Sequence, residues 1–325
     1  MALKSAKDQY REISAKEESI PIFSRAWWLD ATAGDENWNV ALVTSGGQIK
    51  ASMPYVMRRK FGMKVVSQPA LTQTLGPWLR PLNENASHAK RLSQDQEMME
   101  ELIAQLPRFD YFTQNWHYSQ TNWLPFCWQG FQQTTRYTYI LNDLQDMGNV
   151  WAGFHNNVRR NCKSASERHQ ITLRDDLPLS DFLSLNRMTF QRQGLKVPYS
   201  DEYVRRIDEA CQKQNCRKYY IAVDREGRRH AGCYVVWDKN SAYGLINGSD
   251  PALRSSGALS LCLWQAIQDA ARVTQKFDFE GSMLQPVERF VRHFGAVQTP
   301  YFNISKMPSR LLRVRRALQS GIKEE

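Results

Sequence analysis

No stretch of the 325 residues approaches the roughly 18 consecutive apolar residues that a transmembrane helix needs. The opening residues, MALKSAKDQYREISAKEE, lack the apolar segment of a secretory leader, and the sequence predicts a cytoplasmic protein. Cysteine is scarce: there are six, none in a CxxC pair, and only Cys211 and Cys216 fall close together. This pattern speaks against a disulfide scaffold and predicts ordinary reduced thiols. The six histidines form no HExxH or similar pattern, so no metal is expected. No short tandem repeat is visible, and no Ser-His-Asp or Cys-His order stands out.

What is present is a chain that can build a large core. Hydrophobic residues make up 42% and aromatics 11%, and the length suits two domains of ordinary size. The net charge of +10 favours anionic partners: nucleic acid, nucleotide, phospho-sugar or an acidic membrane surface. Charge alone does not choose among them.

Periodicity predicts a mixed α/β chain. Residues 21–32 have helical spacing. Residues 38–43 and 49–57 flank Ser45-Gly46-Gly47 as a hairpin. A strand from Val65 runs into a Pro/Gly-punctuated loop ending near Leu79. Residues 85–106 read as a surface helix, and 110–116 and 131–141 as strands rich in aromatic and β-branched side chains. The polar run at 142–148 suggests a domain boundary. Beyond it, 149–168 reads as a basic helix, 171–173 as a short strand, and 179–192 and 203–213 as amphipathic helices. A second hairpin follows at 218–223 and 230–237. A strand then ends in a turn rich in Gly, Ser and Asp, an apolar helix follows, and 276–280 forms a short strand. A helix bearing Glu288, Arg289 and Arg292 and a last strand at 300–306 complete the order. The predicted domains are 1–145 and 146–308, with a basic amphipathic tail at 309–325. In that tail Leu311, Leu312, Val314 and Leu318 interleave with arginines. Such a tail suits an anionic membrane, tRNA, or a face of its own domain.

Several residues invite functional readings. Asp278 and Glu280 lie two apart on a predicted strand and so share a side. One facing a cleft would orient an amine or take its proton; both also suit plain hydrogen bonds to neighbours. Arg289 and Arg292, at i and i+3, share a helix face and suit a phosphate or an oxyanion, or a solvated pair with Glu288. Ser255, Ser256 and Gly257 open the apolar helix. They read either as a cap or, with Arg254, as an anion site on the helix N-terminus. Arg159, Arg160 and Lys163 read as a solvated face or an RNA contact.

The order of elements in the second half resembles the GNAT acyltransferase fold, and the details resemble its Fem-type branch. The likeness spans residues 20–306. It rests on Ser67-Gln68-Pro69, the stretch Thr72 to Trp78, Arg159-Arg160-Asn161, Gly248-Ser249-Asp250, Arg254 to Ala258, Phe277 to Ser282, and Phe290 to Gly295 followed by Pro300-Tyr301-Phe302. The resemblance implies two GNAT-like domains in tandem, an α/β chain of mixed sheets. The first would serve the acceptor and the second the donor. It places Gln68, Thr72, Gln73, Trp78, Asn115 and His117, with Arg289, on the acceptor side. Arg254, Ser255, Ser256 and Gly257 fall on the donor side, and Glu280, Asp278 and Arg292 at the chemistry. Two departures stand out. The Q/R-x-x-G-x-G/A pattern of acetyl-CoA enzymes fails at Leu259, and the Lys that often follows the Phe of F-x-x-x-F-G is Val291 here.

The implied function is N-acyl or N-aminoacyl transfer to an amino group of a cell-envelope or polysaccharide precursor, by direct attack of the amine on the donor carbonyl. No permanently bound cofactor is implied; aminoacyl-tRNA or acyl-CoA is the donor substrate. The alternatives are an acyl-CoA N-acyltransferase for a small metabolite and a non-catalytic GNAT-like module that binds RNA or a partner.

Overall fold

A computed structural model describes residues 4–81, 87–281 and 283–309. The described residues divide into two compact units, those up to 136 with 300–309, and those from 137 to 299. The polar run at 142–148 therefore lies inside the second unit, not at its border. The predicted basic tail, apart from Ser309, falls outside the described residues. No described helix is long and apolar enough to cross a membrane.

The first unit opens with helices α1 (Ala6–Lys16) and α2 (Ala26–Ala33). The Ser5 side chain caps α1. Strands β1 (Trp38–Ser45) and β2 (Gln48–Lys60) form an antiparallel hairpin. Its turn residues, Gly46 and Gly47, both have positive φ, which glycine adopts without penalty. β2 turns again into β3 (Met63–Val66) and also pairs with β4 (Trp78–Leu79). Helix α3 (His88–Ala104), strand β5 (Tyr111–Asn115) and helix α4 (Leu124–Trp128) follow. β5 runs parallel to β3. The core is aromatic: Phe112, Trp116, Phe126 and Phe131 pack with Met53, Met99 and Leu102. The Phe112 and Phe131 rings meet edge to face at 5.3 Å.

Strand β6 (Gln132–Leu141) leads into the second unit, whose residues begin at Tyr137. The predicted basic helix is broken in two, α5 (Met147–Gly153) and α6 (Asn156–Lys163), followed by a π-helical turn at Ser164–Arg168. The break comes at Phe154 and His155, where the His155 ring accepts from the Asn157 N–H and caps α6. Strand β7 (Thr172–Arg174), helices α7 (Leu179–Arg192) and α8 (Asp201–Lys213), and strands β8 (Arg217–Val223), β9 (Arg229–Trp237) and β10 (Ala242–Ser249) follow. Then come α9 (Ala258–Ala270), β11 (Phe277–Asp278), α10 (Gln285–Arg292) and β12 (Val297–Lys306). β7 to β10 pair antiparallel in sequence order, and β11 joins β10 in parallel.

Adjacent residues of β9 point to opposite faces. A Cβ on Gly232 would meet the Phe182 ring of α7, whereas Cys233 shares a core cluster with Cys262 of α9. α7 and α9 thus cover the two faces. Gly248 on β10 lets α7 approach within contact, since a Cβ there would sit 2.5 Å from the Asn186 nitrogen. On α9, Ala258, Cys262, Leu263, Ala266, Ile267 and Ala270 form the buried stripe.

Candidate active site

β10 and β11 pair over only two positions, Ala242 with Phe277 and Tyr243 with Asp278. Past Tyr243 the register against β9 shifts between Gly244 and Ile246, and β10 continues to Ser249 beside β9 alone. An irregularity of this kind bends a strand and re-aims its side chains. Beyond Asp278 the chain parts from β10, although the Phe279 N–H still donates to the Tyr139 carbonyl of β6, and Glu280 adopts φ of +51°, the left-handed region that bulky side chains avoid. The two strands therefore part next to Glu280.

The predicted strand 276–280 is thus only two residues long, and Asp278 and Glu280 do not share a strand face. They meet through the turn instead. The Glu280 N–H donates to Asp278 Oδ1 at 2.7 Å, and the Thr138 hydroxyl donates to the same oxygen. Burial pushes the Asp278 carboxyl up to about 6, partly offset by those two hydrogen bonds. Burial and then the Asp278 charge push Glu280 well above the usual carboxylate range. Its Oε1 is out of water and has no hydrogen-bond partner. Phe279 points into the core between them, as alternation predicts.

Other polar groups converge nearby that the sequence reading missed. Tyr199, in the α7–α8 connection, donates to Asn186 Oδ1 at 3.2 Å, and Asn186 Nδ2 donates to the Asn247 carbonyl at 2.9 Å. Burial pushes the Tyr199 hydroxyl up to about 12, and the Glu280 charge adds to the shift. The Asn247 side-chain oxygen is buried without a partner. One signal was available: Asn186 interrupts the apolar face that Phe182, Leu183 and Leu185 give to α7.

The predicted donor residues take different places. Arg254–Ser256 is a short 3₁₀ turn, and Gly257 stands at the N-cap of α9 with no side-chain cap. Arg254 and Ser255 are exposed and Ser256 is buried. Ser256 donates to the Leu253 carbonyl at 2.8 Å and lies 3.0 Å from His230 Nδ1; the other His230 nitrogen meets Asp224 at 2.9 Å. Gly257 has φ of +79° and backs directly onto α6, where a Cβ would lie 2.6 Å from the Asn161 carbonyl oxygen. Leu259 packs against the core. Arg292 is half exposed and pairs with Glu288 at 3.6 Å; Glu288 also accepts from Tyr139 at 2.8 Å. Arg289 is exposed.

In the first unit, Gln68, Thr72, Gln73 and Asn115 form one network. Gln68 Nε2 donates to the Thr72 and Gln73 carbonyls at 2.9 and 3.1 Å, and its Oε1 accepts from the Asn115 N–H at 2.6 Å. Thr72 accepts from Trp28 and Asn115 from Asn303. Trp78 and His117 bond elsewhere, to Ser19 and Ser119. Among the described residues no group of three His, Cys, Asp or Glu is placed to hold a metal ion.

This architecture has known relatives. Residues 152–285 match the family model described as an acetyltransferase (GNAT) domain. The second unit carries a GNAT acyltransferase domain. Solved structures give the fold of the rest. The chain superposes on FemX with a TM-score of 0.65 at 10% identity, covering 92% of this chain and 96% of that one. L-PGS from Bacillus licheniformis gives 0.55 at 12% identity, over 97% and 96%. A tandem GNAT protein from the clavulanic acid biosynthesis pathway gives 0.50 at 10%, over 94% and 96%. The fold is that of the Fem-type branch, with GNAT folds in tandem. No curated protein matches the chain by sequence. Within the GNAT domain, the parting strands and Glu280 lie inside the matched segment.

Proposed function

We propose that this acyltransferase moves an aminoacyl group from an aminoacyl-tRNA to an amine of a cell-envelope or polysaccharide precursor, with Glu280 as the general base. The observation that carries the reading is Glu280 Oε1, out of water and without a hydrogen-bond partner, next to the point where β10 and β11 part. A carboxyl held above its usual range is a better base near neutrality than a solvated one. The amine attacks the donor carbonyl directly, Glu280 takes the proton the nitrogen loses, and the ester oxygen departs with the tRNA. Backbone N–H groups on the open edge of β10 are suited to the tetrahedral oxyanion.

Against a plain acyl-CoA donor stands the contact of Gly257 with Asn161. A pyrophosphate on a helix N-terminus needs open backbone amides. Here α6 covers the turn, Ser256 to Ala258 are buried, and Leu259, partly buried, packs against the core.

The test is transfer to amine acceptors from aminoacyl-tRNA and from acyl-CoA, each assayed with the parent and with Glu280→Gln. We expect transfer from the tRNA donor that ribonuclease abolishes, and a fall in kcat of about 10²- to 10⁴-fold in the variant. Undiminished transfer by Glu280→Gln would remove it from the chemistry. Efficient transfer from acetyl-CoA, with thermal stabilisation by CoA, would overturn the donor.

A further inference from the structure

The hairpin that joins β2 to β3 is built against its own stability. Strand pairing runs to Lys60 opposite Met63, so the turn is Phe61-Gly62, and both residues have positive φ, +52° and +78°. Two-residue turns of that kind favour Asn-Gly or Asp-Gly, because a bulky side chain is strained there. Phe61 nevertheless occupies the first position, 81% exposed. Just below it, Arg59 stands directly opposite Lys64, a cross-strand pair of like charges that disfavours the hairpin. Arg58, Arg59 and Lys60 are all exposed, and no ion pair joins any of these four cations to a carboxylate among the described residues. The segment Arg58–Lys64 contains no acidic residue.

An aromatic ring at an apex, without a hydrogen-bonding group, above a collar of basic side chains, has the chemistry of an interfacial anchor. We propose that this hairpin docks the protein on an anionic lipid bilayer. Phe61 enters the boundary between headgroups and acyl chains, and Arg58, Arg59, Lys60 and Lys64 meet the lipid phosphates. The single projecting ring favours lipid over nucleic acid, where rings that stack bases sit as platforms along a charged groove.

The test is flotation of the full chain with vesicles of phosphatidylcholine alone or with about 30% phosphatidylglycerol, the charge range over which basic segments respond. We expect binding to the anionic vesicles and little to the neutral ones. Phe61→Asn suits the left-handed turn, so its Tm is expected to equal or exceed the parent's while its vesicle affinity falls at least tenfold. Arg58→Ala with Lys60→Ala should erase the preference for phosphatidylglycerol. Parent-like binding by Phe61→Asn, or a parent that floats with neither vesicle, overturns the proposal. So does a Phe61→Asn variant that keeps vesicle binding but loses retention of tRNA, which would make the hairpin an RNA contact. The assay uses no acyl donor, so its failure leaves the acyl-transfer reading untouched, and failure of that reading leaves this one standing.

Discussion

At the scale of the residue, Asp278 is a carboxyl whose titration the fold shifts. In the unfolded chain its carboxyl titrates near its ordinary 3.8, and in the native site near 6. Between those values the native state holds the extra proton, so stability falls as pH rises through the window. The whole fall is on the order of 3 kcal/mol. Asp278→Asn keeps the acceptor oxygen that Thr138 and the Glu280 amide use. Its unfolding free energy, measured in urea, is therefore expected to exceed the parent's at pH 7.5 and to approach it at pH 4. The same substitution removes the negative charge that helps hold Glu280 up. The acid limb of the pH–rate profile should then move to lower pH. A limb that stays in place would mean that Glu280 does not titrate in the rate-determining step.

At the scale of the element, two glycines hold close approaches. Gly248→Ala would push a methyl into the α7 backbone, and Gly257→Ala would push one into Asn161 while straining a left-handed residue. Each should lower stability by about 1–3 kcal/mol, read from chemical denaturation, with the secondary structure retained. Periodicity made most elements legible. The amphipathic α7 and α8, both hairpins around Gly46-Gly47 and Gly227, and the apolar α9 are all visible in the sequence. It failed where local pattern and tertiary pairing part company. β2 runs on to Lys60 through Arg58 and Arg59, residues no strand pattern selects, because β3 pairs with them. The strand at Phe277 stops after two residues because Glu280 turns left-handed. Glu280 and Asp278 could be picked out as chemistry-bearing by residue type. Their joining through a turn, and the convergence of Thr138, Asn186, Tyr199 and Asn247, depend on contacts between residues far apart in sequence and carry no local signature.

At the scale of the whole molecule, the first unit is discontinuous. Its β5 pairs with the end of β12, Asn303 opposite Asn115 through Lys306 opposite Phe112, and the Asn303 amide donates to Asn115. Ile304 completes the aromatic core. A chain stopped before Pro300 leaves that edge of β5 unpaired and a hole in the core. We expect such a chain to expose residues 1–136 to rapid proteolysis while 137–299 survives as a resistant fragment, identified by mass spectrometry. The same pairing has a consequence for synthesis. A ribosome finishes the residues of the second unit before it makes the strand that completes the first. Until that strand emerges, the edge of β5 that β12 covers has no partner, while every residue of the second unit is already available. In this protein the unit that begins first in the sequence is the last to have all its strands synthesised.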